Sequence, residues 1–208
     1  MTPESLAELF TRPDGTYHFA RWGRPIVPVV FGVDDATLST IKGAIEAVVT
    51  LAQHKMAETD PELGANLMLF FFRDWEELLK VPGLNGIVPE LEALCPRLSA
   101  QAANQYRLFR FDRQGAIRAA FVFLRLDAAL ATIPAEDLAL AQAAQIMLLW
   151  SEQAFRAVSP LGKAGNTVIL RPEIAAVIRA AYARLLPDSA ADASHALRVF
   201  ARLEPQVG

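Results

Sequence analysis

Apolar residues in this chain fall into three kinds of run, and each kind predicts a different element. In the first they recur at three- and four-residue steps, the spacing that lines one face of a helix. Leu38, Ile41, Ile45, Val48, Val49 and Ala52 predict a helix from about Ala36 to Ala57. Leu140, Ala144, Met147, Leu148, Ser151, Phe155 and Val158 predict a second, central one from Pro134 to Val158, opened by Glu136 and Asp137 and stopped by Ser159-Pro160. Ile174, Val177, Ile178, Ala181 and Leu185 predict a third, begun by Pro172 and ended by Pro187. Shorter helices follow from caps: Thr2-Pro3-Glu4 before Phe10, Asp74 with Glu77 through Lys80, Glu90 to Cys95 among prolines and glycines, and a last helix capped by Ser189 or Asp192.

The second kind of run is unbroken: Ile26 to Phe31 predicts a strand, and Leu67 to Phe72 predicts one covered on both faces. Pro28 lacks a ladder donor, which places the first of these at a sheet edge or a bulge. The third kind comes in a pair: Tyr106 to Phe111 and Ile117 to Leu126 flank Asp112-Arg113-Gln114-Gly115, a hairpin with Gly115 at the positive-φ position. Arg107, Arg110, Arg113, Arg118 and Arg125 decorate it and read as a solvated face. Leu161 to Asn166 reads as a flexible connection, with Thr167 to Leu170 a short strand or packed loop. The fold expected is α+β: a small mixed sheet of about four strands with helices packed on it. It forms a single domain over 1–208, with an N-terminal helix and turn in 1–20 and a C-terminal helix pair in 172–208.

Composition narrows the class. Of 208 residues, 53% are hydrophobic and 21% charged, which fits a packed globular chain rather than a disordered one. A net charge of −3 supports neither a nucleic-acid nor an acidic-membrane partner, and no apolar run is long enough for a transmembrane segment. The single cysteine, Cys95, excludes an internal disulfide and reads as a buried thiol. The N-terminus has no secretory pattern, so the chain as given is expected in the cytoplasm, or in the periplasm or cell envelope if a signal sequence is missing.

Candidate chemistry is sparse. His18, His54 and His195 have no spacing that would set two imidazoles on one helix face. Glycine-rich phosphate loops, nucleophile elbows and calcium loops are absent, and the Gly162-to-Thr167 stretch has the wrong spacing for a phosphate loop. Asp34-Asp35, Glu76-Glu77 and Glu136-Asp137 all fall at helix starts, where capping explains them. Gln142 and Gln145 are the amides on an otherwise apolar central helix, and they need partners.

Four segments together resemble a bacterial family of unknown function. They are Arg21-Trp22-Gly23-Arg24-Pro25-Ile26, Ala65-Asn66-Leu67 running to Phe72, the hairpin at Asp112 to Gly115 with the helix of Gln142 and Gln145, and Ala180 to Pro187 before a final helix. Members of that family are exported, often lipid-anchored, and related in fold to the zincin metalloproteases. The resemblance implies that the central helix corresponds to the one carrying His-Glu-x-x-His in active zincins. Here Ala141-Gln142-Ala143-Ala144-Gln145 stands in its place, with neither imidazole ligand nor general-base carboxylate. The expectation is therefore a non-catalytic zincin-like binding or structural module with no cofactor or metal.

Its partner, a protein or a small molecule, is expected in a groove beside the central helix. Gln142 and Gln145 would supply hydrogen bonds, Trp22 or Trp150 an apolar wall, and Arg21 and Arg24 charge. Two alternatives stand beside this reading. One is a hydrolase that pairs Glu152 or Asp137 with His54 or His195; the other is a subunit of a larger assembly with an exposed apolar patch on a C-terminal helix.

Overall fold

Why the chain folds as it does is clearest at Leu67–Phe72 (β3), the six-residue run with no polar alternation. In the structure, a computed structural model that describes residues 1–203, β3 lies inside a mixed four-stranded sheet. Leu67, Leu69 and Phe71 face one core, while Phe70 and Phe72 face the other. A strand with water on neither side has no use for polar residues. Parallel to β3 run Pro28–Phe31 (β2) on one side and Ile117–Arg125 (β5) on the other, and Gln105–Phe111 (β4) closes the far edge antiparallel to β5. Pro28 therefore sits on an edge strand, where a missing N–H costs no ladder bond.

Asp35–Leu51 (α2) crosses from β2 to β3 on the first face, capped by the Asp34 carboxylate on the Thr37 N–H at 2.7 Å. It stops short of the expected Ala57. Gln53 takes the left-handed conformation at φ 53°, and the His54 N–H reaches back to the Val49 carbonyl at 3.0 Å, a Schellman ending. The short N-terminal helix Pro3–Glu8 (α1) and, later, Pro172–Ala181 (α6) and Ser194–Phe200 (α7) pack around the same core. Phe19–Ala20 (β1) pairs with Ser189–Ala190 (β8), joining the two ends of the described chain. The third long helix was expected to reach Leu185 and ends at Ala181, where Arg21 binds its last carbonyl and that of Ala183 just beyond.

On the second face lie the 3-10 turn Trp75–Lys80, Leu84–Ile87 (α3) and Leu91–Ala100 (α4). Asp74 and Glu77 form the capping box expected of them. By contrast, α4 runs through Pro96 to Ala100 instead of ending at Cys95; Leu91, Leu94, Cys95 and Leu98 make one buried stripe that holds it together. The Cys95 thiol is buried there, and burial pushes its pKa up.

The largest departure is the central helix. It covers Ala135–Ile146 (α5) and stops where 134–158 was expected to continue. Met147 is still helical in conformation, and from Leu148 the chain is extended: Leu148 bridges Arg21, and the Leu149 N–H donates to the Ala20 carbonyl at 2.8 Å. The carbonyls freed at the helix end are taken by side chains. Trp22 Nε1 donates to Ile146 at 2.8 Å, Trp150 Nε1 to Ala144 at 3.1 Å, and the Tyr182 hydroxyl to Met147 at 2.8 Å. Three aromatic donors from three parts of the chain thus end the helix. Beyond it, the expected flexible connection is a hairpin, Leu161–Ala164 (β6) with Thr167–Leu170 (β7), turning at Gly165 with φ 61°.

Among the described residues, no helix is long and apolar enough to cross a membrane.

Candidate functional site

The open edge of the sheet lies beside the truncated central helix. Arg125 N–H donates to the Asn104 carbonyl at 2.8 Å, and Arg107 stands opposite Val122. Antiparallel alternation then turns the main-chain N–H and C=O of Gln105, Arg107 and Phe109 away from β5, toward the open edge. The same period sends their side chains to the face that holds α5. Facing this edge is the segment Leu149–Arg156, extended to Ser151 and turning beyond it, anchored by Ser151, whose N–H reaches the Leu9 carbonyl at 2.7 Å and whose hydroxyl reaches the Thr11 carbonyl at 2.6 Å. Between them opens a groove of about 860 Å³. Gln105, Gln145, Phe155 and Arg156 also line a second hollow of about 590 Å³, to which Gln142 contributes.

Arg107 is the organising side chain. Its Nη2 donates to the Oε1 atoms of both Gln105, at 2.9 Å, and Gln142, and Gln142 in turn donates from Nε2 to Gln105 Oε1 at 3.1 Å. Gln142, at 2% exposure, has both ends of its amide fixed by this triangle. Among the described residues Arg107 forms no ion pair: its Nη1 has no hydrogen-bond partner, and its Nε is sealed from solvent with none either. Burial pushes its pKa down to about 10, so it remains a cation at neutral pH. The rest of the lining repeats the sign, with Arg12, Arg97 and Arg156 against Glu152. His18 stays in step with this. Its pKa is lowered by burial and then by the Arg12 guanidinium, which binds its Nδ1.

Trp150 and Phe155 form the apolar wall. Trp150 stacks on Phe10 at 5.3 Å and meets Phe155 edge-on at 5.1 Å. Gln145 lies between the two hollows, its amide folded back on the Ala141 carbonyl at 3.2 Å.

Of the residues singled out in the sequence, the structure brings Gln145 and Trp150 to the groove and Gln142 to the adjoining hollow, and places Trp22, Arg21 and Arg24 elsewhere. Trp22 is 2% exposed and caps α5 from behind. Arg21, at 8% exposure, is bound to the Asp188 carboxylate at 2.7 Å and to the carbonyls of Ala181, Ala183 and Leu186, and lies over the Tyr182 ring. Arg24 pairs with Asp60 and Glu62. Both arginines are occupied in holding loops to the core. Arg107, Gln105, Phe155 and Arg156 were not singled out as site residues. Arg107 had been grouped with the solvated hairpin arginines, although the two-residue period already sets it on the face of Phe109, opposite Tyr106 and Leu108.

None of the three imidazoles is hydrogen-bonded to a carboxylate among the described residues. His54 Nε2 meets the Arg24 carbonyl, His195 Nδ1 the Tyr17 hydroxyl, and His18 the Arg12 guanidinium. Nor does any group of three or more His, Cys, Asp or Glu side chains among the described residues come together as a metal site. Comparison with protein-family models, curated proteins and solved structures returns no match for this chain.

Proposed function

We propose that this protein is a non-catalytic binding module whose ligand lies in the groove between the open edge of β4 and Leu149–Arg156, on a scaffold of zincin-like descent. The observation that carries the reading is the Gln105–Arg107–Gln142 triangle. It is a fixed polar arrangement at the wall of a hollow, with a cation that has no carboxylate partner among the described residues. Fixed polar groups in an apolar-walled concavity are the usual make-up of a ligand site. The zincin kinship rests on the four-segment resemblance. It is consistent with α5 presenting Gln142 and Gln145 to the hollow that adjoins the groove, at the positions where that resemblance places the metal-binding motif. Amides in those positions are poor zinc ligands and cannot serve as a general base.

The test is a fragment screen on isotopically labelled protein, with binding read from amide and side-chain NMR shifts. Hits are expected to move Gln105, Gln145, Leu149, Trp150 and Phe155 together. Hits that instead collect in the trough at the ends of β2, β3 and β5, around Gly32, Phe71, Leu126 and Leu138, would sink the reading. An assembly role draws on one separate feature, the exposed Leu185 at 78% and Leu197 at 56%, whose segments are linked by the Arg198–Leu185 hydrogen bond. Sedimentation of the wild type and of Leu197→Asp compares that role with the first.

A further inference from the structure

We infer that the groove selects a ligand bearing a carboxylate on an apolar body, and that the neutrality of Gln105 and Gln142 is what confers the selection. This deepens the binding-module reading and rests on it. A guanidinium carries five N–H donors. In Arg107 two acceptors converge on Nη2 alone, and both are amide oxygens, which orient the group without cancelling its charge. Five other arginines that are at least partly buried are given a carboxylate: Arg21 has Asp188, Arg24 has Asp60 and Glu62, Arg118 has Glu62, Arg125 has Asp127 and Arg171 has Glu173. Arg107 departs from that pattern, and it stands in the groove.

The surroundings agree in sign. Four arginines and one glutamate line the groove of a chain whose net charge is −3, so the field there opposes that of the molecule as a whole. The sealed Nε is closed to a ligand and Nη2 is taken by the two amides, which leaves Nη1 as the donor for an incoming oxygen. A single carboxylate oxygen fits Nη1, and Arg156, with no side-chain partner among the described residues, lines the same groove for the second. The remainder of the ligand meets Trp150, Phe155 and Leu149, whose apolar surfaces ask for an aromatic or aliphatic body. Charge-assisted hydrogen bonds of this kind are about twice as strong as neutral ones.

The experiment uses 3-phenylpropionate and its uncharged isostere 3-phenylpropionamide as probes, titrated into the full chain and followed by NMR. In wild type the acid is expected to bind about tenfold or more tightly than the amide, moving Gln142 and Gln145 side-chain signals and the Arg107 Nε–H. Gln142→Glu keeps the size and shape of the side chain and supplies the missing negative charge. It should bring the acid down to the level of the amide or below, while amide binding persists. Arg107→Gln should also lose the preference. Equal binding of acid and amide in wild type, or an undiminished preference in Gln142→Glu, would overturn the inference and leave the binding-module reading standing. Failure of both probes to move any groove signal would overturn the two together. Methyl phosphate, run in parallel, should bind less well than the acid; the reverse order would replace carboxylate with phosphate and overturn the class assigned here.

Discussion

Arg21 and Arg107 are both drawn in from solvent, and the fold treats them in opposite ways. Arg21 receives a carboxylate, three carbonyls and an aromatic face; Arg107 receives two amide oxygens on one nitrogen. The first arrangement spreads compensation over the whole guanidinium. It ties the segment after β1 to the end of α6 and to the loop before β8. The second leaves charge available at a surface. Satisfying a buried charge and exposing an oriented one are different tasks, and the number and type of acceptors tell them apart.

Substitution should separate the two most sharply at Arg21. Arg21→Met strands three carbonyls and Asp188 and should lower unfolding stability by about 3–5 kcal/mol in urea titrations. A loss near that found for Arg107→Met would erase the distinction.

Next in size is the Asp60 clasp, a second fully compensated site. Burial alone would raise the pKa of this carboxyl, but the Glu62 and Leu63 N–H groups, the Asn66 amide and Arg24 outweigh it and hold the folded value near 2, below the ordinary 3.8. Asp60→Ala should cost about 2 kcal/mol at neutral pH. Because the folded pKa is the depressed one, the contribution of the ionised carboxylate is present above 3.8 and is lost as pH falls toward 2, so the two stability curves should converge over that window. Curves that stay parallel there would assign the effect of the substitution to packing.

Trp22→Phe leaves the Ile146 carbonyl without its donor and should cost about 1–2 kcal/mol by the same urea assay. The smallest effects belong to the groove. Arg107→Met should change stability by less than about 1 kcal/mol, and Gln142→Glu should raise it by about 1 kcal/mol by giving the cation its carboxylate. A destabilised Gln142→Glu would show that Arg107 is already compensated.

Legibility in the sequence followed how local the determinant was. The strand Leu67–Phe72 and the hairpin turn at Asp112–Gly115 were readable because an unbroken apolar run and a positive-φ glycine act within a few residues. The end of α5 was not. Met147 to Trp150 is apolar in any conformation, and Ser151, Phe155 and Val158 continue the helical spacing by coincidence. The helix stops because Trp22 and Tyr182, far away in the chain, supply donors to its last carbonyls. The β6–β7 hairpin was missed for the opposite reason, since Gly162, Ala164 and Gly165 carry too little side chain to show a strand pattern. At the site, the need of Gln142 for a partner was visible in its apolar helix. That the partner is Arg107 depended on the face of β4, which shows only when alternate positions of that strand are separated.

The way α5 ends also sets the optics of the molecule. The chain has three tryptophans: Trp22 and Trp75 are sealed in opposite cores, and Trp150 lies half-buried along the groove. Emission that a dissolved quencher can reach therefore comes mainly from one indole, and that indole is part of the binding surface. An occupant of the groove will shield Trp150 and leave the other two unchanged, so the protein carries a built-in fluorescent reporter of its own occupancy.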